Sequence, residues 1–294
     1  MRQASPLSWL IRCAGIAAAL LLACAVATAW IGSSLQQSAV TTRDGSLVTL
    51  NRYISEPVPH IVLVGSSVTW RLKEEYFSLP HVRNLALAGG SPVTSLEIVA
   101  KQRSLPKIVL IETNVLSRAV DRALVERFTD HDHTEAFLRP VRTAVAAYET
   151  WNHLPPPDPA QMRAALEALL RQPPSEFNNH VYVERAVREE NAHDSTTAAR
   201  ANADLIKQLI GELERRGTRA LLIGIPFSPE IEDTSAVRAT REIVQNTFPD
   251  PNDWLRIDPR LSELRWADGV HLDERSAVIV VRAIEKALAD RDGR

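Results

Sequence analysis

The run Ile61-Val62-Leu63-Val64 sets the tightest limit on what this chain can fold into. Four consecutive apolar residues, three of them β-branched, lie between Pro59 and Gly65, so His60 to Gly65 reads as a buried strand. The run stops at Ser66 and Ser67. In an open parallel sheet, ligands bind in the crevice beyond the carboxyl ends of the strands, which is where these serines fall. A plainer reading has one of them merely capping the helix expected to begin near Val68.

The same grammar repeats along the chain. Val82–Leu87, Lys107–Glu112 and Arg219–Ile225 read as further strands, and Trp254–Ile257 as a weaker fifth. Between them, Ala203–Arg216 places Leu205, Ile206, Leu209, Ile210 and Leu213 on one stripe of a helix that Gly217 terminates. Alternation of this kind predicts an α/β fold: a three-layer αβα, flavodoxin-like arrangement around a parallel sheet of about five strands. More than a hundred residues separate the third and fourth strands, too many for one crossover helix. Prolines at 155–157, 159, 173 and 174 divide that stretch into helical pieces, Ala160–Arg171 among them. A helical insertion over about 116–200, acting as a lid or partner surface, is expected.

At 294 residues, 45% hydrophobic and 24% charged, the chain has material for one catalytic-size domain carrying such an insertion. Arg2 and Arg12 are the only charges before Arg43; the other 32 basic residues face 36 acidic ones. That balance carries no nucleic-acid footprint.

Those two arginines precede 19 uncharged residues, Cys13–Ile31. As a helix rising about 1.5 Å per residue, the stretch approaches the roughly 30 Å hydrocarbon core of a bilayer. The positive-inside bias then keeps the amino terminus in the cytoplasm and exports the rest. Residues 1–31 are expected to be a transmembrane anchor or signal segment, 32–59 a linker and lead-in, and 60–294 the catalytic-type domain. Ala27-Thr28-Ala29 resembles a signal-peptidase site, and Leu21-Leu22-Ala23-Cys24 loosely resembles a lipidation motif, but an uncleaved anchor explains the full span better. Cys13 and Cys24 both fall in this segment, leaving the exported body no disulfide.

Polar residues collect where strands end. Ser67 follows the first, Gly89 and Gly90 the second, Asn114 the third, and Asp268 and His271 precede the last helix, expected near Asp273. Together they meet the needs of a serine hydrolase: a nucleophile, a base, a group to orient the base, and donors for the oxyanion.

These blocks, Gly65-Ser66-Ser67-Val68-Thr69, Asn84-Leu85-Ala86-Leu87-Ala88-Gly89, Glu112-Thr113-Asn114-Val115 and Asp268-Gly269-Val270-His271, resemble in order the motifs of the SGNH, or GDSL-type, hydrolases. The likeness runs from about residue 60 to the carboxyl terminus, apart from the insertion. It implies Ser67 as nucleophile, an oxyanion hole made by the Ser67 and Gly89 backbone N–H groups with the Asn114 amide, Asp268 as orienter and His271 as base. It implies neither a metal nor a cofactor. The chain departs from the family pattern at Ser66 (usually Asp), Ala86 (Gly), Glu112 (Gly) and Val115 (Asp). A Glu112 carboxylate pointing inward would raise the cost of an oxyanion.

An exported enzyme of this type is expected to hydrolyse O-acyl, most simply O-acetyl, esters of an envelope or extracellular carbohydrate. The chain also resembles membrane-anchored members that serve polysaccharide O-acetylation, which implies an alternative: an acetyltransferase working beside a membrane-bound O-acyltransferase. A non-catalytic glycan-binding adaptor is a third class. His131-Asp132-His133, beside Asp130, has the makings of a metal site but reads more simply as a solvated loop. His180 and His193 show no partners in sequence. Trp70, Trp151 and Trp266 are candidates for stacking on sugar rings, Trp266 first because it stands two residues before Asp268.

Overall fold

The computed structural model describes residues 6–31, 42–129, 158–192 and 196–292. The chain divides into two units, one of them Met1–Val48 with Asp130–Pro157 and the other Thr49–Thr129 with Asp158–Arg294.

The second unit is an α/β fold. Strands β1 (Ile61–Val64), β2 (Val82–Asn84), β3 (Ile108–Glu112) and β4 (Arg219–Ile223) form a parallel sheet in the order β2-β1-β3-β4. Ile61 stands opposite Val82 on one side and Ile108 on the other, and Ile108 stands opposite Arg219. The weak fifth segment lies where a flavodoxin-like order would place it, outside β4. It makes one parallel bridge, Trp254 with Leu222, and one hydrogen bond, Leu255 N–H to the Leu222 carbonyl at 2.8 Å. A 3₁₀ turn, Pro251–Asp253, precedes it and Pro259 follows, so too little extended chain remains for a ladder.

The apolar runs of β1, β3 and β4 are explained by what covers each face. Ile61, Leu63, Ile108, Leu110, Leu221 and Ile223 point into a core completed by Val278, Val281, Ile284 and Leu288 of the carboxyl-terminal helix, Glu274–Asp292. Their alternates Val62, Val64, Val109, Ile111, Ala220 and Leu222 point into a second core. Helices Pro92–Ala100, Thr196–Arg215 and Ser235–Thr247 close that side. Because side chains alternate between faces along a strand, a sheet sandwiched between helices needs apolar residues at every position. The stripe expected around Ala203–Arg216 is buried at Ala203, Ile206, Ile210 and Leu213, and Gly217, at φ 85°, ends that helix.

The region after β3 is helical, with Arg122–Thr129, Pro159–Arg171 and His180–Ala192 described. Leu166 joins the core beneath the carboxyl-terminal helix, whereas His180–Ala192 buries no residue fully. His131-Asp132-His133, Trp151 and His193 lie outside the described residues.

In the other unit, Pro6–Ile31 is an apolar helix of 26 residues. Its window Pro6–Ala23 has a mean hydropathy of 1.7. By length and composition it is compatible with a signal anchor or a signal peptide.

Candidate active site

At the carboxyl end of β1 the chain turns sharply into a short helix, Ser67–Trp70. The two serines divide the two expectations between them. Ser66 is the cap, its Oγ accepting the Val68 N–H at 3.2 Å. Ser67, the first residue of the helix, is half-buried and directs its Oγ to His271 Nε2 at 2.9 Å.

His271 reaches that position from a tight loop. The Ala267 N–H donates to the His271 carbonyl at 2.8 Å, and Trp266 bridges Leu272. Gly269 sits in this loop at φ 88°, a conformation that suits glycine, and a Cβ there would press on Ile231 at 3.1 Å. Asp268 organises the loop twice over. Oδ1 accepts the backbone N–H groups of Val270 at 3.0 Å and His271 at 2.8 Å, while Oδ2 accepts His271 Nδ1–H at 2.7 Å. Partial burial works against the Asp268 charge, but the hydrogen bonds from the His271 ring and backbone and from Val270 outweigh it and hold the carboxyl down at about 2. With Nδ1 committed as donor, Nε2 is left to accept the Ser67 proton.

Asn114 stands just past β3 and lines the same cavity as Ser67. Its side-chain amide continues the ladder to the chain leaving β4: Nδ2 donates to the Ile225 carbonyl at 2.6 Å and Oδ1 accepts the Ile225 N–H at 2.8 Å. One Nδ2 hydrogen stays uncommitted by that pairing. The Ile225 segment in turn holds the histidine loop, through Ser228 N–H to the Gly269 carbonyl at 2.9 Å and Trp266 Nε1–H to the Pro226 carbonyl at 2.9 Å. Sequence reading named Asn114 as an oxyanion donor only; this bracing role had no sequence signal, since it depends on a side chain imitating backbone.

Ser67, Asn114, Asp268 and His271 line one cavity of about 360 Å³. Arg118 and, from helix His180–Ala192, Tyr182 and Arg185 are also in its wall, so part of the expected insertion lines the cavity. Gly89, at φ 80°, is outside that lining. The chain beyond β2 keeps pairing with β1, through Leu85 N–H to Leu63 and Leu87 N–H to Gly65, and so carries Gly89 toward the level of Ser67. Arg118 Nη1 donates to the Gly89 carbonyl at 2.7 Å and ties that turn to the cavity.

Behind the histidine loop lies a larger cavity, about 1090 Å³, that shares Asn114, Phe227, Val237 and Thr240 with the first. Trp266 lines it and is held rigidly, by its indole bond to Pro226 and by Asn179 Nδ2 donating to the Trp266 carbonyl at 2.7 Å. Trp70, by contrast, is exposed beside Arg71. His180 has a partner after all: Nε2 lies 3.2 Å from Glu184, one helical turn on.

Glu112 points away from the cavity, into the turn that carries the serines. The carboxylate is fully buried and receives hydrogen bonds from Ser66 and Thr69. No protein-family model matches the chain, and no curated protein matches its sequence.

Proposed function

We propose that this chain is a serine esterase of the SGNH type that removes O-acyl groups, acetyl in the simplest case, from a carbohydrate outside the cytoplasm. The observation that carries the reading is the unbroken relay Ser67 Oγ, His271, Asp268, with contacts of 2.9 and 2.7 Å, at the mouth of a cavity beyond the strand ends. His271 Nε2 takes the hydroxyl proton as Ser67 Oγ attacks the ester carbonyl. The tetrahedral oxyanion is met by the Ser67 and Gly89 N–H groups and the free Asn114 Nδ2 hydrogen. Collapse expels the sugar hydroxyl, which takes its proton from His271, and leaves an acyl group on Ser67. Water, deprotonated by the same imidazole, then releases the acid. Each oxyanion donor is worth on the order of 3 kcal/mol in such a site.

Export rests on Arg2 and Arg12 ahead of an apolar helix. A serine-directed aryl phosphonate should label the body beginning near Thr49, with the adduct on Ser67 by peptide mass spectrometry. An adduct elsewhere, or none, sinks the esterase reading.

The larger cavity favours a second reading, in which a sugar hydroxyl rather than water resolves the acyl-enzyme and a membrane-bound O-acyltransferase supplies the acyl group. Adding oligosaccharide should then divert acetyl from water to sugar. In either case Trp266, which lines the larger cavity, is the residue proposed to stack on a sugar ring. Trp266→Ala is expected to raise KM for an acetylated oligosaccharide roughly three- to tenfold, equivalent to ~1 kcal/mol, with little change for a small aryl acetate. Equal losses on both substrates would mean that Trp266 only supports the histidine loop.

A further inference from the structure

We propose that Glu112 is a positioning residue for Ser67, its buried carboxylate clamping the turn from β1 into helix Ser67–Trp70; the role rests on the reading of Ser67 as nucleophile. Glu112 closes β3 next to β1, and its side chain is 0% exposed. Oε2 accepts the Ser66 N–H at 2.8 Å, the Thr69 N–H at 3.1 Å and the Thr69 hydroxyl at 2.6 Å. Oε1 accepts the Ser66 hydroxyl at 2.8 Å, and the oxygen of that hydroxyl accepts the Val68 N–H. The carboxylate thereby fixes the residue before Ser67 directly, the residue after it through Ser66, and the next directly. The Ser67 N–H and Oγ are not among the groups it engages. The hydroxyl is left to His271 and the N–H to the oxyanion.

A carboxylate is costly to bury unless its hydrogen bonds compensate it, and an uncharged strand residue would hold β3 equally well. What the carboxylate adds is a template for the serine turn. Gly65 carries the matching constraint. A Cβ there would fall 2.4 Å from Thr69 Oγ1 and 2.6 Å from Glu112 Oε2, so only glycine leaves room for the clamp. The sequence departs from the family pattern at both partners, Ser66 for Asp and Glu112 for Gly, and here the two departures meet in one hydrogen-bonded unit.

The test is the rate of phosphonate labelling and the kcat and KM for an aryl acetate, measured on the parent, Glu112→Ala, Glu112→Gln and the pair Ser66→Ala and Thr69→Val. A misplaced nucleophile should lower kcat and the labelling rate of folded Glu112→Ala roughly 100-fold, with KM within about threefold of the parent. Glu112→Gln, which keeps an acceptor where Oε2 stood, should recover most of the loss. Should Glu112→Ala fail to fold, Ser66→Ala and Thr69→Val stand in, each expected to fall roughly tenfold in kcat. A parent labelled on Ser67, with folded Glu112→Ala or both hydroxyl variants labelled at the parent's rate, overturns the clamp alone. A parent that is not labelled at Ser67 overturns the nucleophile reading and the clamp with it.

Discussion

Ser67→Ala is expected to lower acetate release from an aryl acetate by ~10⁴-fold or more, because no other hydroxyl at the turn is presented to the base. Ser66, the nearest, is fully buried and donates to Glu112. The loss should come without unfolding. Ser67 is only half-buried, and exchanging a hydroxyl for hydrogen there removes no packing, so the thermal midpoint should stay within a few degrees of the parent. Ser66→Ala makes the comparison, since it keeps the nucleophile, loses a cap worth ~1 kcal/mol and should fall only roughly tenfold in kcat. If Ser67→Ala kept more than about a hundredth of the parent rate, the assignment would be wrong, whatever the relay geometry suggests.

Asp268→Asn is the second large effect, and it has a pH signature. The carboxylate accepts three hydrogen bonds from the loop, and an amide in its place can turn a donor toward His271 Nδ1, which reverses the ring's proton arrangement and leaves Nε2 unable to accept from Ser67. A fall in kcat of roughly 10³- to 10⁴-fold near neutrality is expected. The pH dependence follows from a folded value lowered to about 2 against an unfolded one near 4. The stabilisation that Asp268 gives is complete above about pH 4 and is lost as pH falls toward 2. Thermal unfolding should therefore show the gap between parent and Asp268→Asn narrowing between pH 5 and pH 2. A gap that widened on acidification would contradict the assignment. Any acid limb of the rate profile above pH 4 does not belong to Asp268.

The sheet was legible because β1, β3 and β4 carry runs of four consecutive apolar residues, a signal that survives without knowledge of neighbours. The meeting of Ser67, Asp268 and His271 was legible because strand ends in a parallel sheet face one crevice, and short spacings such as Asp268 to His271 can be turned into geometry. Whether Glu112 points inward, where it would raise the cost of an oxyanion, was not legible, since nothing in a linear sequence says which way a side chain at a strand end points. The Asn114 pairing with Ile225 and the Arg118 bond to Gly89 were invisible for a related reason: each joins a side chain to backbone far from it in sequence. Trp254–Ile257 showed the opposite failure. Its residues favour a strand, but the prolines on either side leave a single bridge.

The hydroxyl and the imidazole of the relay come from positions 204 residues apart, one near the start of the sheet and the other just before the last helix. During synthesis, therefore, no early fragment holds both. Ser67 meets His271 only once nearly the whole chain has been made and the final helix has packed against the sheet. Under the proposed esterase reading, turnover of an ester doubles as an assay of global folding, and a cut between Ser67 and His271 that separates the two disarms it.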